Sequence, residues 1–346
     1  MKRIASISKV AISLIYTLTA LVFIGLFVGP KVSFADNGNW TQKADMPTAR
    51  AFLATGVANG KIYAIGGEKV ADDPNPLATV EIYDPATDTW TKGTDMPAPR
   101  GRLVVAVVDD KLYAIGGQRG QTPLTTVEVY EPRTDRWTKK TDMPTPRWKP
   151  AASVVDGKIY VVGGGDGQFL ATVEMYDPAT DTWTRKRSLP APQGVLGTAV
   201  VDGRIYAIGG GNGNQRVEVY DPASDAWSPK ANLPTGRSGL STSVVNGKIY
   251  AIGGGRSFGE PGLSTVEVYA PVTDTWSQAT DMPTPRRVFS TEVVDGKIYA
   301  IGGTSMSPAA LIPLDTVEAY TPEGGTPAAV SAKGKLATTW GKLKAF

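Results

Sequence analysis

Five arginines recur at one place in this chain, each directly after Met-Pro-x-x or Leu-Pro-x-x: Arg50, Arg100, Arg147, Arg237 and Arg286, with Gln193 in the sixth place. Guanidinium groups that converge on a concave site suit carboxylates or acidic peptides, because the planar fork gives two parallel charge-assisted hydrogen bonds. The same groups suit a structural task, bonding to carbonyls or to Asp45, Asp95, Asp142 and Asp281 of the neighbouring Asp-Met-Pro. Recurrence at equivalent positions is what architecture produces. Further cations lie beside the set in Arg102, Lys149 and Arg287.

Two residues break their local pattern. Aligned on a recurring turn, one position reads Gly56, Ala106, Ser153, Ala199, Ser243 and then Glu292, so a carboxylate replaces a small side chain. Placed near Arg286 or Arg287 it would form an ion pair, or serve as a general acid/base with a shifted pKa. Trp148 has Ala51, Gly101, Gly194, Ser238 and Arg287 as its counterparts, and an aromatic ring there can stack on a sugar or a peptide. Against these candidates stands an inventory with no histidine and no cysteine in 346 residues. Disulfides, thiolate metal sites and cysteine nucleophiles are excluded, and so is the commonest general base and metal ligand. No metal-loop motif is present and no cofactor is expected.

The elements that must position these residues show up as a repeat. The segment Gly-Lys61-Ile-Tyr-Ala-Ile-Gly-Gly67 returns with its double glycine ending at Gly117, Gly164, Gly210, Gly254 and Gly303, at intervals of 50, 47, 46, 44 and 49 residues. A second signature, Val-Glu-x-Tyr, places Tyr83, Tyr130, Tyr176, Tyr220 and Tyr269 seven residues before Trp90, Trp137, Trp183, Trp227 and Trp276. Within each unit two apolar runs meet at Asn-Gly or Asp-Gly, a type I′ hairpin signal, and two more strands flank an Asp-Pro-x-x-Asp type turn. Four strands make one sheet that cannot bury both its faces alone, so six must pack radially. The tyrosines and tryptophans then fill the space between sheets.

The double glycine with the spaced tyrosine and tryptophan resembles the kelch motif, over residues 38 to 322. The resemblance implies an all-β, six-bladed β-propeller with four antiparallel strands per blade. The sixth unit has Glu318-Ala-Tyr320 without a following tryptophan strand, whereas residues 39–47 repeat a fourth-strand pattern with nothing before it. The amino-terminal strand therefore closes the last blade, in place of a covalent clasp. Links between blades enter the innermost strand, so the arginines should ring a mouth of the central channel. Loops 68–79, 255–265 and 304–316 are the longest and should project from one face.

Residues 1–35 start with Lys2 and Arg3, continue in an apolar run from Val10 to Gly29, and end in Ser33-Phe34-Ala35. They read as a signal peptide cleaved after Ala35, or as an uncleaved anchor. They hold four cations and no acid, so without them the net charge of +3 becomes −1, which argues against nucleic acid as a partner. Residues 323–346 read as a flexible basic tail. Kelch-like propellers include copper-radical sugar oxidases, whose histidine ligands and cysteine-modified tyrosine this chain lacks. They also include exported sialic acid mutarotases, which need only proton transfer and an arginine clamp on a carboxylate; Glu292 and the arginine set would supply these. The adaptors of intracellular ubiquitin ligases resemble the propeller alone. The expectation is an exported, monomeric binding scaffold for a protein or carbohydrate ligand of acidic character, touching membrane only through its amino-terminal segment.

Overall fold

The computed structural model describes residues 36–257, 260–305 and 312–323; the expected signal segment and basic tail lie outside them. Six antiparallel four-stranded sheets are arranged as the blades of a propeller, each running from an innermost strand beside the central channel to an outermost one. In the first blade the strands are Ala54–Ala58, Lys61–Ile65, Val80–Asp84 and Thr89–Lys92. The turn joining the first two holds Asn59 at φ 51° and Gly60 at φ 74°, as a type I′ turn requires. Asp and Gly, Asn and Gly, or Asp109 and Asp110 do the same in the other blades.

The sixth blade is completed by Asn39–Gln42, which pairs with Val317–Thr321 in the register Trp40 opposite Tyr320. Asp36 anchors this strand. Its buried carboxylate accepts hydrogen bonds from the Tyr250 and Tyr320 hydroxyls and from the Gly38 and Glu323 amides.

Neighbouring blades are held by the repeat residues. Tyr83, Tyr130, Tyr176, Tyr220 and Tyr269 are buried and donate to Asp88, Asp135, Asp181, Asp225 and Asp274, each of which stands at positive φ. In the first blade that aspartate accepts the Ala44 amide while the Trp90 indole donates to the Ala44 carbonyl, so one blade grips both sides of the link that precedes it. The double glycine is demanded by proximity: a Cβ on Gly66 would lie 2.4 Å from the Arg100 carbonyl oxygen of the next blade.

The hairpin turns at one end of the channel define a lower face. The links between blades, and the connections between second and third strands, lie at the upper face. Of the long loops predicted to share a face, 68–79 is of this second kind, as are the described parts of 255–265 and 304–316, whose residues 258–259 and 306–311 lie outside the described residues.

Candidate functional site

Each recurring arginine is placed by the link that carries it, and the structure corrects the expected channel-mouth ring. Arg50, Arg100, Arg147, Arg237 and Arg286 have no exposed surface. They point into the blades, where Arg50 pairs with Glu81, Arg100 with Glu128 at 2.6 Å, Arg147 with Glu174, and Arg237 and Arg286 with Glu267 and Glu318 at 2.7 Å. Arg147 also donates to the carbonyls of Gly163 and Thr172, both at 3.0 Å. They are braces, and a ligand cannot reach them. Carbonyl partners were expected, but the carboxylates come from Val-Glu-x-Tyr and not from Asp-Met-Pro. The aspartates bond near their own position, as Lys92 to Asp95 and Lys139 to Asp142 show. In the fourth blade Gln193 leaves Glu218 without a bracing arginine, and burial pushes that carboxyl up from the ordinary range, with Arg216 opposing.

What does line the upper mouth is the residue two beyond each arginine and two beyond Gln193: Phe52, Arg102, Lys149, Val195, Gly239 and Val288. All six stand at positive φ. Each backbone N–H donates to the carbonyl of the preceding blade's member, and Phe52 donates to Val288, so six hydrogen bonds of 2.7 to 3.2 Å close a circle. Positive φ is a strained choice for valine and phenylalanine, and the circle of bonds holds it. Immediately below lies a buried apolar ring of Leu53, Leu103, Pro150, Leu196, Leu240 and Phe289. Sequence reasoning missed this double ring, apart from Arg102 and Lys149. The signal was present in the constant offset from each arginine, but the residue types vary.

The side chains above the ring form a patch. Lys149 lies 3.9 Å from the centre of the Phe52 ring, and the Arg102 guanidinium 4.6 Å from it, in cation–π contact. Arg102 also pairs with Glu68 at 3.0 Å and Asp72 at 2.6 Å. Burial pushes Glu68 up to about 7, against the pull of Arg102 and Lys149. Burial, with repulsion from Arg102 and Arg287, holds the Lys149 ammonium well below the usual lysine range. Lys149 has no ion-pair partner within 4.0 Å among the described residues. Trp148 packs with Phe52, Val195 and Val288 and meets Phe169 edge-on at 5.9 Å. It is the one tryptophan among those described whose indole N–H finds no acceptor, and it is half-buried. Arg287 is turned sideways, donating to the Ser257 and Glu260 carbonyls.

Glu292 lies below the apolar ring, in the channel, where the sequence placed it. Neither Arg286 nor Arg287 reaches it, which corrects the expected ion pair: its Oε1 accepts from the Thr55 hydroxyl at 2.7 Å. Burial pushes its carboxyl up to about 7, with Thr55 opposing.

The model of the KLHDC2/KLHL20/DRC7 Kelch-repeats domain matches residues 35–210, and the Kelch motif model matches residues 196–234, 236–283 and 285–326. The chain belongs to the kelch-repeat β-propeller family. It is 39% identical over 51 residues to the F-box/kelch-repeat protein At1g22040 of Arabidopsis thaliana, a stretch that covers 14% of this chain and 11% of that protein. A solved structure titled "Structure of YjhT" superposes with a TM-score of 0.68 at 17% identity, over 80% of this chain and 96% of that one. This likeness is one of fold.

Proposed function

We propose that the protein is an exported binding scaffold whose upper mouth takes an acidic segment of a partner protein. The observation that carries this reading is the patch formed by Trp148, Lys149 and Phe52: a free indole donor, a cation without a carboxylate partner, and apolar surface between them. Aromatic anchors flanked by cations are the usual makings of an interaction hot spot. Loop 68–79 and the described residues 255–257 and 260–265 flank the patch and would supply specificity, as loops on rigid scaffolds do. Export rests on the basic start and apolar run of residues 1–35.

A carbohydrate is the second reading, supported by the half-buried indole of Trp148, on which a sugar ring can stack. An enzyme of the mutarotase kind fares less well. The arginines meant to clamp the substrate carboxylate are committed to buried glutamates, and Glu292 stands apart from the mouth patch. A thermal-shift screen against acidic peptides, sialic acid and neutral sugars separates the three. The scaffold reading expects acidic peptides to raise the melting temperature, with the rise abolished in Lys149→Glu and Trp148→Ala. Shifts by sugars alone would move the assignment to a carbohydrate, and turnover of a sugar lost in Glu292→Gln would overturn it in favour of the enzyme.

A further inference from the structure

Beneath the apolar ring the channel widens into a chamber of about 300 Å³. Its walls differ. The blades carrying residues 104–105 and 151–152 contribute Val104, Val105, Ala151 and Ala152, while the opposite side contributes Thr198, Ser241, Thr242, Ser290, Thr291, Thr55 and Glu292. Three of the hydroxyl protons on that side are spent within the protein: Thr198 donates to the Ala152 carbonyl, Thr242 to the Thr198 carbonyl, and Thr55 to Glu292. What they turn to the chamber is oxygen lone pairs. Glu292 is the one charged residue in the lining, and its second carboxylate oxygen has no protein partner. The polar wall is therefore an acceptor surface with one carboxyl group, which burial leaves partly protonated near neutral pH and which a bound cation would ionise, and no protein cation lies in the lining to answer it.

We infer that this chamber binds a small organic ammonium ion, whose head is held by Glu292 and the neighbouring hydroxyl oxygens and whose carbon chain rests against Leu53, Leu103, Leu196 and Phe289. A primary ammonium offers three N–H donors to that wall. A divalent metal ion suits it poorly, because calcium and magnesium draw on several carboxylate or carbonyl oxygens and here there is one carboxylate. The apolar ceiling is of use only to a ligand with a hydrocarbon part.

The approach to the chamber points the same way. From the lower face the path passes Val57, Val107, Val154, Val200, Val244 and Val293, all partly exposed in the channel. Around that opening the hairpin turns carry Asp109, Asp110, Asp156, Asp202 and Asp295, all exposed. Aspartate at positive φ satisfies the turn by itself, but asparagine would do so equally, as Asn59 and Asn246 show. The cations that open each second strand, Lys61, Lys111, Lys158, Arg204, Lys248 and Lys297, follow these turns directly, and Lys61, Lys111, Lys158 and Arg204 are drawn aside into pairs with Asp84, Glu131, Asp177 and Asp221 of the third strand.

The test is calorimetric titration of the full chain at neutral pH with n-butylammonium, n-butanol and butyrate, three probes of one shape and different charge. The inference expects saturable binding of n-butylammonium alone, weakened by about tenfold or more in Glu292→Gln. Ala152→Leu fills the chamber without touching the carboxylate and should weaken binding as well, which keeps the test decisive should Glu292→Gln fail to fold. A lysine side chain of a partner has the same chemistry as a free amine. Displacement of n-butylammonium by a lysine-rich peptide would assign the source to a partner, and no displacement would assign it to a free amine. Equal affinity in wild type and Glu292→Gln, binding of butyrate as strong as that of n-butylammonium, or no binding to the wild type would each overturn the inference. None of these results depends on the upper mouth, which lies beyond the apolar ring.

Discussion

At Arg147 the guanidinium gives its protons to two carbonyls and to Glu174, which also accepts from the Thr145 hydroxyl at 2.8 Å. Removing one partner of such a buried pair strands the other charge, at about 3 to 5 kcal/mol. Arg147→Ala should therefore lower the melting temperature markedly in thermal denaturation, while leaving binding at the upper mouth intact below that temperature. Loss of binding without loss of stability would restore the clamp reading. The recurrence of the arginines was legible in the sequence; their partner was not. Four of the five arginines, all but Arg237, are offered two acids, one close by in Asp-Met-Pro and one about thirty residues on in Val-Glu-x-Tyr. Strand pairing brings the distant one nearer, since the third strand lies beside the second and its glutamate points at the link.

Among the elements, the amino-terminal strand carries the most weight for its length. Its pattern, Trp40 with Met46-Pro47 six residues on, was readable because Trp90, Trp137 and Trp276 are followed by Met-Pro at the same distance and Trp183 and Trp227 by Leu-Pro. Asp36 was not readable, because it lies four residues before Trp40, where the other blades hold their aspartate two residues before the tryptophan. Burial raises the Asp36 pKa, but bonds from the Glu323 amide, Tyr250, Tyr320 and the Gly38 amide outweigh it and hold the carboxyl below its ordinary value. A depressed carboxyl pKa contributes stability that is complete above the unfolded value near 4 and fades as pH falls through the folded one. Asp36→Asn should accordingly melt earlier than wild type at pH 7, with the gap narrowing as the pH is taken down through and below the aspartate range. A gap unchanged with pH would show that the carboxylate is not the clasp. Deleting residues 36–45 removes the strand altogether and should lower the melting temperature further, by opening the ring.

For the whole molecule, six units and their closure followed from period and pattern, because each blade is a local hairpin problem solved six times. The two ends of the channel were harder. The upper circle of hydrogen bonds runs between residues some fifty positions apart and is made by backbone atoms, so Phe52, Arg102, Lys149, Val195, Gly239 and Val288 share no side-chain signature. Its consequence is a rigid mouth on which Trp148 and Lys149 stand, with an aspartate-rimmed opening at the far end. The most direct test of the account is a fluorescence-anisotropy titration of a labelled acidic peptide bearing one aromatic residue against wild type, Trp148→Ala, Lys149→Glu and the lower-face variant Asp202→Lys. The account predicts binding to wild type and Asp202→Lys alike, its loss in both upper-mouth variants, and weakening as rising pH removes the Lys149 proton, whose pKa is already depressed by burial beside Arg102 and Arg287. Binding that survives Trp148→Ala and Lys149→Glu, or that responds only to Asp202→Lys, would contradict it.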